Sequence, residues 1–480
     1  MGFNVFKTFL ILNYSFLICL CSCSVSKQIS EQANAVLIND TAISTGHIGI
    51  SIYEPATNTY WYNYNATKYF IPASNTKLFT LYAGMKYLGD SLVGARLEIN
   101  NSNITVYPSG DPTFLNAEFK FQPLFEYMKP FKTIYINNNT WKADALGNGW
   151  AWNDYNESYM AERSSFPIYG NLIEFSLKYN FISASNKAIE ILSREEPGSP
   201  VRFDPETKNV LSDKFNIERS YENNDFYIRN AESSFKRKSI PFKTNPEFIA
   251  QLLQDTLHNE DVIFFTSHPS SSPDSILKSP VRISGANYSF FEKLLVRSEY
   301  EPQGLIYTIH SQPSDSLFRP MMHRSDNFFA EQTLLMVSNE QLGYMNDEVI
   351  IDTLLRTNLK DVPQRPKWID GSGLSRYNLF TPQSFVYILN KMKTEFGWDR
   401  VKNILPTGGT GTLSSYYKKD SGFIYAKTGT LSNNCALSGY LVTKKGKFLV
   451  FSVLANNYQG GATPVRKAVE KFLLAIREKY

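Results

Sequence analysis

The chain has 480 residues, of which 42% are hydrophobic and 20% are charged. This composition is typical of a folded globular protein with two or three domains, and it excludes an intrinsically disordered chain. The formal net charge of +4 is small for such a length and gives no indication of a nucleic-acid or other polyanionic partner.

The N-terminal segment predicts that the protein is exported. After a single early lysine, a mostly apolar run extends from Phe9 to Leu20, which is too short for a comfortable membrane span but typical of a signal peptide. The run ends in LCSC, which resembles a bacterial lipobox with Cys23 as the lipidated residue. We therefore expect a signal peptide at residues 1–23 and a periplasmic protein anchored by lipid to a bacterial membrane. The alternative is a plain secretory signal with incidental cysteines. In the anchored form Cys435 would be the one other cysteine, so no internal disulfide is expected.

The first regular elements predicted after this segment are a β-hairpin and a helix. The hairpin is indicated by two β-runs around a Pro/Thr/Asn turn in HIGISIYEPATNTYWYNYN. Apolar residues then recur at helical spacing as far as Gly89, which predicts an amphipathic helix. Ser74 and Lys77 lie at the start of this helix, one turn apart, so both side chains are expected on the same face.

The rest of the chain predicts an α+β fold with a large insertion. From about residue 95 to 300 short strand-like runs alternate with Pro, Ser and Asn breaks, after which helices return and the chain ends in three strands and a helix. The strands of both chain ends are best joined in one antiparallel sheet with helices packed on it. We therefore expect a first domain part at 24–95, one or two smaller β-rich inserted domains at 96–300, and a second domain part at 301–480.

The pair Ser74–Lys77 is a candidate nucleophile and base. A serine hydroxyl needs a base to remove its proton, but a Ser-His-Asp triad fits poorly because the chain has no GxSxG elbow and only five histidines. No HExxH motif or Cys/His cluster indicates a metal site. A lysine can act as the base where burial and a neighbouring cation lower its pKa. Ser-x-x-Lys alone is weak evidence, since it occurs five times in this chain.

Two further motifs strengthen this candidate. SDN occurs once, at residues 325–327, where a helical run begins, and KTG occurs once, at residues 427–429, at the end of a predicted strand. The motifs S-x-x-K, S-D-N and K-T-G in this order are the signature of β-lactamases and penicillin-binding proteins. Each motif also has an ordinary interpretation, as a helix cap or as a strand that turns through glycine, but their joint occurrence in order makes coincidence improbable.

The segments around the motifs resemble the D-alanyl-D-alanine carboxypeptidase/endopeptidase family, the class C low-molecular-mass penicillin-binding proteins. The resemblance extends over residues 40 to 460, is looser from 195 to 300, and is carried by YFIPASNTKLFT, GDPTF, GWAWNDY, HRSDNFFAEQ, DGSGLSRYNLFTP, LPTGGTGTL and YAKTGTLSNN. The 251 positions between Ser74 and Ser325 (325 minus 74) exceed the spacing in class A β-lactamases and fit a family with domains inserted between the two motifs. One departure is that no arginine follows the GTL element before the KTG strand.

The resemblance implies a serine β-lactamase/transpeptidase-like domain, an antiparallel sheet with helices on both faces, and an acyl-enzyme mechanism without metal or organic cofactor. It implies that Ser74 attacks the carbonyl of the penultimate D-alanine and that Lys77 accepts its proton. Ser325 and Lys427 would relay a proton to the leaving amine, and Asn327 would hold the substrate amide and the base.

The resemblance also implies how the substrate is bound. The ammonium of Lys427 would attract the terminal carboxylate, helped by Thr428 and the adjoining Gly429, and would favour a neutral base by like-charge repulsion. The backbone N–H groups of Ser74 and Thr430 would form the oxyanion hole.

The expected function is therefore that of a serine-type D-Ala-D-Ala carboxypeptidase, a DD-endopeptidase or both. The substrates would be peptidoglycan stem peptides, and β-lactam antibiotics would be covalent inhibitors. The close alternative is a β-lactamase, against which the long insertion and the DGSGLSR element argue. A non-catalytic peptidoglycan-binding protein of the same fold is the other alternative, but every catalytic side chain is present in the sequence.

Overall fold

A computed structural model describes residues 25–178, 181–185, 191–193, 203–204, 209–210, 215–231, 235–259, 261–265 and 306–480. The predicted signal peptide, Cys23 and the predicted domain boundary after residue 300 lie outside these residues. Within the described ranges, no helix is both long and apolar enough to cross a membrane.

The regular elements are numbered in chain order. The strands are β1 His47–Glu54, β2 Thr59–Tyr64, β3 Ser91–Asn100, β4 Asn103–Pro108, β5 Thr133–Asn137, β6 Leu172–Lys178, β7 Phe181–Ala184, β8 Ile191–Ser193, β9 Phe203–Asp204, β10 Asn209–Val210, β11 Phe215–Arg219, β12 Phe226–Asn230, β13 Arg237–Pro241, β14 Val262–Phe265, β15 Ile306–Pro313, β16 Ile424–Leu431, β17 Asn434–Val442 and β18 Phe448–Asn456. The helices are α1 Lys77–Tyr87, α2 Pro123–Met128, α3 Pro246–Leu257, α4 Ser314–His323, α5 Asn327–Leu342, α6 Asp347–Arg356, α7 Pro382–Phe396, α8 Trp398–Ile404 and α9 Ala462–Lys479.

The predicted hairpin and the last three strands form one five-stranded antiparallel sheet, in the order β16–β17–β18–β1–β2. The two chain ends meet where β1 pairs with β18, with Ile50 opposite Val453. This arrangement confirms the prediction that strands from both ends of the chain share a sheet. It also fixes the distance between the segment that carries Ser74 and the strand that carries the KTG motif.

The sheet is covered on both faces, which explains why most residues of β17 and β18 are apolar. Along β17, Ala436 and Tyr440 pack into a core shared with the helices α1, α5 and α7. Their neighbours Cys435 and Leu437 face the opposite side, where they pack with α9. Because successive side chains of a strand point to opposite faces, a strand buried on both faces has no alternating polar positions.

The helix that begins at Lys77 is more deeply buried than the sequence predicts. Every residue from Lys77 to Met85 is buried, because α1 packs against α4, α5 and α7. The expectation of an amphipathic helix with one exposed face is therefore wrong. A helix enclosed on all sides places its polar residues in the interior, where each of them needs a hydrogen-bond partner.

The region between α1 and α4 builds sheets of its own. One has the order β14–β5–β4–β3–β15, a second β13–β6–β7–β10–β9, and a third β11–β12–β8. A separate apolar core that includes Ile134, Ile173 and Phe226 holds them together. The predicted boundary after residue 95 falls inside β3, which pairs with β15 near the end of the region. The division into domains at 24–95, 96–300 and 301–480 stays a prediction.

Candidate active site

The candidate nucleophile lies on a short turn that is fixed to the main sheet. Residues Ala73–Thr76 form a 3-10 turn that leads directly into α1, with Ser74 half-buried. The buried side chain of Asn75 donates a hydrogen bond to the Ser438 hydroxyl on β17, at 2.7 Å. The turn therefore holds the Ser74 hydroxyl at the edge of the helical core, because the hydrogen bond of the neighbouring Asn75 attaches the turn to β17.

Lys77 is placed to act as the base for Ser74. Its buried Nζ lies 3.0 Å from Ser74 Oγ, 2.6 Å from Asn327 Oδ1 and 2.8 Å from the carbonyl oxygen of Ser372. The Asn327 amide is oriented by its Nδ2, which donates to the carbonyl of Tyr159 at 3.0 Å, so the amide oxygen faces Lys77. A neutral amine has two N–H groups and one lone pair. With both N–H groups directed at oxygens that can only accept, the lone pair is left for the Ser74 hydroxyl.

The pKa of Lys77 is lowered from 10.5 to about 8, chiefly because the side chain is fully buried. The carboxylates of Asp370, Glu331 and Asp326 act in the opposite direction and raise it. With this pKa, about one tenth of the Lys77 side chains are neutral at pH 7, far more than for an ordinary lysine. Burial, and not the predicted repulsion from Lys427, is the main cause of this shift.

Lys427 and Ser325 form the second hydrogen-bonded pair of the site. The Lys427 Nζ donates to Ser325 Oγ at 2.8 Å and to the carbonyl of Thr428 at 2.7 Å. Burial lowers the pKa of Lys427 well below its ordinary value, and the charges of Lys77 and Arg466 lower it further. The repulsion between Lys77 and Lys427 predicted from the sequence therefore contributes to the lowered pKa of Lys427, and it is not among the causes of the pKa shift of Lys77.

The three residues of the SDN segment have different roles: one caps a helix and two contact the lysines of the site. Ser325 has φ +64°, a left-handed conformation that costs a non-glycine residue about 1–2 kcal/mol. Asp326 is the N-cap of α5, and its carboxylate accepts from the backbone N–H of Phe329 at 2.9 Å. The helix-cap interpretation of the motif thus holds for Asp326 alone, whereas Ser325 and Asn327 contact the two lysines.

The KTG motif lies inside β16 and not at its end, and β16 is an edge strand of the main sheet. Residues 406–407 cover the first part of its outer edge, where Ala426 N donates to the carbonyl of Pro406 at 3.1 Å. Beyond residue 426 no strand among the described residues pairs with this edge. A Cβ at Gly429 would lie 2.5 Å from the carbonyl oxygen of Pro72. Glycine therefore permits the close approach that brings the following residue, Thr430, next to the turn of Ser74.

The structure brings together all eight predicted residues of the catalytic and substrate-binding set: Ser74, Lys77, Ser325, Asn327, Lys427, Thr428, Gly429 and Thr430. It also places in the site the loop DGSG at residues 370–373, part of the segment DGSGLSRYNLFTP to which the sequence analysis gives no role in the chemistry. Besides the Ser372 carbonyl at Lys77, the Asp370 carboxylate accepts from the backbone N–H groups of Gly373 and Ser375, at 2.8 and 2.7 Å. Gly373 has φ +80°, and a Cβ there would overlap with the carbonyl oxygen of Ala73.

A buried ion network supports this loop from beneath. The Glu331 carboxylate on α5 accepts from the backbone N–H of Ser372 at 2.7 Å and lies 3.4 Å from the Arg163 guanidinium. Arg163 also pairs with Asp347 at 2.5 Å. Burial and the charge of Asp370 raise the pKa of Glu331 to about 7, while Arg163 lowers it. No sequence motif identifies Glu331 or Arg163, because the network joins residues that are distant in the chain.

The inserted region also reaches the site. Besides the contact between Tyr159 and Asn327, the indole Nε1 of Trp150 donates to Asp370 at 3.0 Å. Trp150 belongs to the GWAWNDY element at residues 149–155 and Tyr159 follows it closely; the sequence analysis associates this element with the family but gives it no role. The insertion therefore forms one wall of the candidate site. Among the described residues, no group of three or more His, Cys, Asp and Glu side chains is placed to hold a metal ion.

Several known proteins are similar to this chain. Over 185 residues it is 32% identical to the carboxypeptidase DacB of Mycolicibacterium smegmatis, a match that covers 36% of this chain and only 39% of that protein. Over 464 residues it is 22% identical to a D-alanyl-D-alanine carboxypeptidase of an Actinomadura species, covering 91% of this chain and 82% of that protein.

Solved structures share the fold. Penicillin binding protein 4 of Haemophilus influenzae superposes with a TM-score of 0.68 at 18% identity, covering 94% of this chain and 99% of that one. A second structure of that protein, in complex with a β-lactam, gives a TM-score of 0.64 at 16% identity, with the same coverage of both chains. The β-lactamase/transpeptidase-like α+β fold predicted from the sequence is thereby confirmed.

The match to a protein family covers nearly the whole chain. The family described as "D-Ala-D-Ala carboxypeptidase 3 (S13)" matches residues 30–476, a range that includes the two lysine pairs, the DGSG loop and the inserted region between them. The chain is a member of the D-Ala-D-Ala carboxypeptidase 3 (S13) family.

Proposed function

We propose that this chain is a serine-type D-Ala-D-Ala carboxypeptidase, a DD-endopeptidase or both, and that it acts on peptidoglycan stem peptides through an acyl-enzyme at Ser74. The observation that supports the assignment most directly is the set of three contacts around Lys77 Nζ. Two oxygens that can only accept occupy both N–H groups of the neutral amine, so its lone pair faces the Ser74 hydroxyl. A lysine held in this way can remove the serine proton without a histidine.

In the acylation step, Ser74 Oγ attacks the carbonyl carbon of the penultimate D-alanine and its proton passes to Lys77. The negative charge on the carbonyl oxygen is stabilised by the backbone N–H groups of Ser74 and Thr430, which the close packing of Gly429 brings near each other. The C–N bond then breaks, and the leaving amine takes a proton through the Ser325 hydroxyl, which is hydrogen-bonded to Lys427.

Deacylation returns the enzyme to its starting state. Water attacks the ester carbonyl and gives a proton, through the Ser325 hydroxyl, to Lys427, which lost its own proton to the leaving amine. The C–O bond to Ser74 then breaks, Ser74 Oγ takes back the proton held by Lys77, and the shortened peptide is released. In the carboxypeptidase reaction the leaving amine belongs to a terminal D-alanine. In the endopeptidase reaction it belongs to a neighbouring stem peptide. The same two-step chemistry serves both reactions.

β-Lactam antibiotics are proposed as covalent inhibitors of the same serine. Attack of Ser74 on the strained lactam carbonyl opens the ring, but the amine that leaves the carbonyl stays tethered to the acyl group. It therefore continues to occupy the space that water needs for deacylation. The β-lactam complex of the Haemophilus influenzae protein, which shares this fold, supports the proposal.

The proposal for where the protein is located depends on the N-terminal sequence alone. We propose that the mature protein is periplasmic and is held on a bacterial membrane by lipid at Cys23, where it can reach peptidoglycan. Several acyl chains on one N-terminal residue would provide stable anchoring, which a single chain does not.

The proposed activity is tested with two defined muropeptides, a pentapeptide monomer and a cross-linked dimer, and with mass spectrometry of the products. The wild type should remove the terminal D-alanine from the monomer or split the dimer into monomers, and Ser74→Ala should do neither. If the wild type left both substrates intact, the assignment would be wrong.

A further inference from the structure

The proposed lipid at Cys23 lies very close in the chain to the folded domain. Residues 25–33 are helical, and Val25 packs against the apolar core on the side of the main sheet that α9 covers. Two peptide links join Cys23 to Val25, and they span at most about 7 Å. The lipid would therefore hold the folded domain directly at the membrane surface, because no linker separates the two.

The surface at this point is formed by the end of α9 and by the turn between β17 and β18. The hydroxyl of Tyr480, which follows α9, donates to Gln28 Oε1 at 3.1 Å, and the Tyr480 carbonyl accepts from the backbone N–H of Lys445 at 2.9 Å. The half-buried rings of Tyr480 and Trp61 lie 5.2 Å apart. These contacts bring four segments together at one end of the main sheet. We call this surface the basic end and define it by Lys27, Trp61, Lys445, Lys479 and Tyr480.

The basic end carries lysine charges that no carboxylate balances. Lys27, Lys445 and Lys479 are exposed, and among the described residues none of the three forms an ion pair within 4 Å. Two carboxylates nearby, those of Glu54 and Glu478, are each paired with a further lysine. Ammonium groups around Trp and Tyr rings suit the headgroup region of a membrane, where the lysines attract anionic lipids and the rings are favoured at the interface.

The active site lies at the opposite end of α9. Arg466, on the first turns of this helix, donates to the Thr430 hydroxyl at 2.5 Å, whereas Lys479 is its last residue. The 13 positions between Arg466 and Lys479 (479 minus 466) correspond to about 20 Å along the helix axis. A membrane at the basic end would therefore leave the active site on the side of the protein that faces away from the lipid.

We propose that the basic end is a membrane-docking surface, which binds anionic phospholipid headgroups and orients the enzyme with its active site directed away from the bilayer. The proposal rests on the lipid anchoring at Cys23 proposed above and adds a second, electrostatic contact with the membrane. The acyl chains hold the protein near the lipid, and the three lysines fix which face of the protein meets it.

Fluorescence quenching on vesicles tests this orientation. The lipidated full-length protein accepts a fluorophore at an introduced cysteine, because Cys435 is buried. One label is placed at Ala56→Cys, in the exposed turn between β1 and β2 next to Glu54, and the other at Thr463→Cys, on the exposed first turn of α9. On vesicles of phosphatidylglycerol with a headgroup spin-labelled lipid, the label at position 56 should be strongly quenched and the label at position 463 only weakly.

Removal of the lysine charges should abolish the preferred orientation. The test variant combines Lys27→Gln, Lys445→Gln and Lys479→Gln. Each lysine near an anionic surface contributes about fivefold, so the ratio of docked to undocked protein should fall by roughly a hundredfold. Quenching at position 56 should then approach the level measured on phosphatidylcholine vesicles. High salt should have the same effect on the wild type, because it screens the attraction.

A matched control removes three exposed lysines from the inserted region and from the end of α6. It combines Lys132→Gln, Lys142→Gln and Lys360→Gln, and it should leave the quenching unchanged. Equal quenching of the two labels, or quenching at position 56 that neither the charge variant nor salt reduces, would overturn the proposal. An intact mass without lipid would refute the anchor and this docking surface together, whereas the peptidase assignment is tested separately by the muropeptide assay.

Discussion

The Glu331 carboxylate accepts a hydrogen bond from the backbone N–H of Ser372 at 2.7 Å, and the carbonyl of Ser372 in turn accepts from Lys77. A buried acid on α5 thus fixes the backbone on the N-terminal side of Ser372, the residue whose carbonyl accepts from Lys77. The same acid acts on Lys77 through its charge, because it raises the pKa that burial lowers. Glu331 is therefore a positioning residue with an electrostatic effect on the base.

Replacement of Glu331 by Gln should shift the pH dependence of acylation. The carboxylate of Glu331 raises the pKa of Lys77, so its removal lowers that pKa and increases the neutral fraction of Lys77 at a given pH. The acid limb of the acylation rate, near pH 8 in the wild type if Lys77 governs it, should therefore move to lower pH. Stopped-flow acylation by a chromogenic β-lactam at a series of pH values measures this limb.

A matched control for this experiment lies on the same helix. Glu340 pairs with Arg96 and is not among the groups that affect the pKa of Lys77, so Glu340→Gln should leave the limb unchanged. An acid limb that stays in place in Glu331→Gln would show that Glu331 acts through structure alone.

Ser74 should form a stable adduct with penicillin. Intact-mass spectrometry is expected to show one adduct on the wild type and none on Ser74→Ala. Ser415→Ala is the control, because Ser415 belongs to another Ser-x-x-Lys sequence but is exposed and lies outside the site. Labelling that survives Ser74→Ala would refute the nucleophile assignment.

The two site lysines should respond differently to arginine. Lys77→Arg should abolish acylation, because a guanidinium cannot be deprotonated in a protein and so cannot act as the base. Lys427→Arg keeps a positive charge next to Ser325 and should retain part of the activity. Acylation rates with the same β-lactam compare the two variants. Equal activity in both would mean that Lys77 is not the base.

Gly373→Ala should disrupt the site far more than an equivalent change elsewhere. Gly373 has φ +80° and Gly343, at the C-terminal end of α5, has φ +77°, so alanine at either position costs about 1–2 kcal/mol for its backbone conformation. At Gly373 the added Cβ would also overlap with the carbonyl of Ala73, whereas at Gly343 it would meet nothing within 4 Å. Urea unfolding and penicillin acylation should show a larger loss of stability and a loss of acylation in Gly373→Ala alone. Similar results for both variants would contradict the proposed packing of the DGSG loop on the nucleophile turn.

The lipid anchor is tested by fractionation of cells that express the wild type and Cys23→Ser. The wild type should sediment with membranes, because lipid at Cys23 holds it there, and the variant should be soluble or remain as the precursor. Immunoblots of both fractions measure the distribution. A wild type found wholly in the soluble periplasm would refute the anchor and leave the peptidase assignment intact.

Local patterns carried most of what could be predicted. The hairpin β1–β2, the three C-terminal strands and the positions of Ser74, Ser325 and Lys427 all follow from periodicity or from short motifs. Such signals can be read from a single sequence because each depends on only a few consecutive residues. The periodicity nevertheless predicted α1 wrongly as an amphipathic helix. Its residues from Lys77 to Met85 are all buried, so its polar residues lie in the protein interior and not in water.

The remaining parts of the site depend on contacts between distant segments. Glu331 is one polar residue within an otherwise ordinary helical run, and its role appears only when Ser372, 41 positions away, is folded against it. The contact made by the backbone carbonyl of Ser372 cannot be recognised from the sequence, because every residue has such a carbonyl. These contacts follow from tertiary packing, and a single sequence does not encode them in a readable pattern.

The outer edge of β16 beyond residue 426, which no strand among the described residues covers, has a consequence for selectivity. Unpaired N–H and C=O groups on an edge strand can bind an extended peptide as an additional strand, through its main chain and irrespective of its side chains. Stem peptides that differ in their third residue could then share this mode of binding, and discrimination would depend on the chirality and the free end of the peptide. The same groups would also pair with the edge of another protein, a recognised cause of aggregation. Residues 406–407 pair with the edge of β16 as far as residue 426. Only the few positions after residue 426, where the substrate would bind, are therefore open to such pairing.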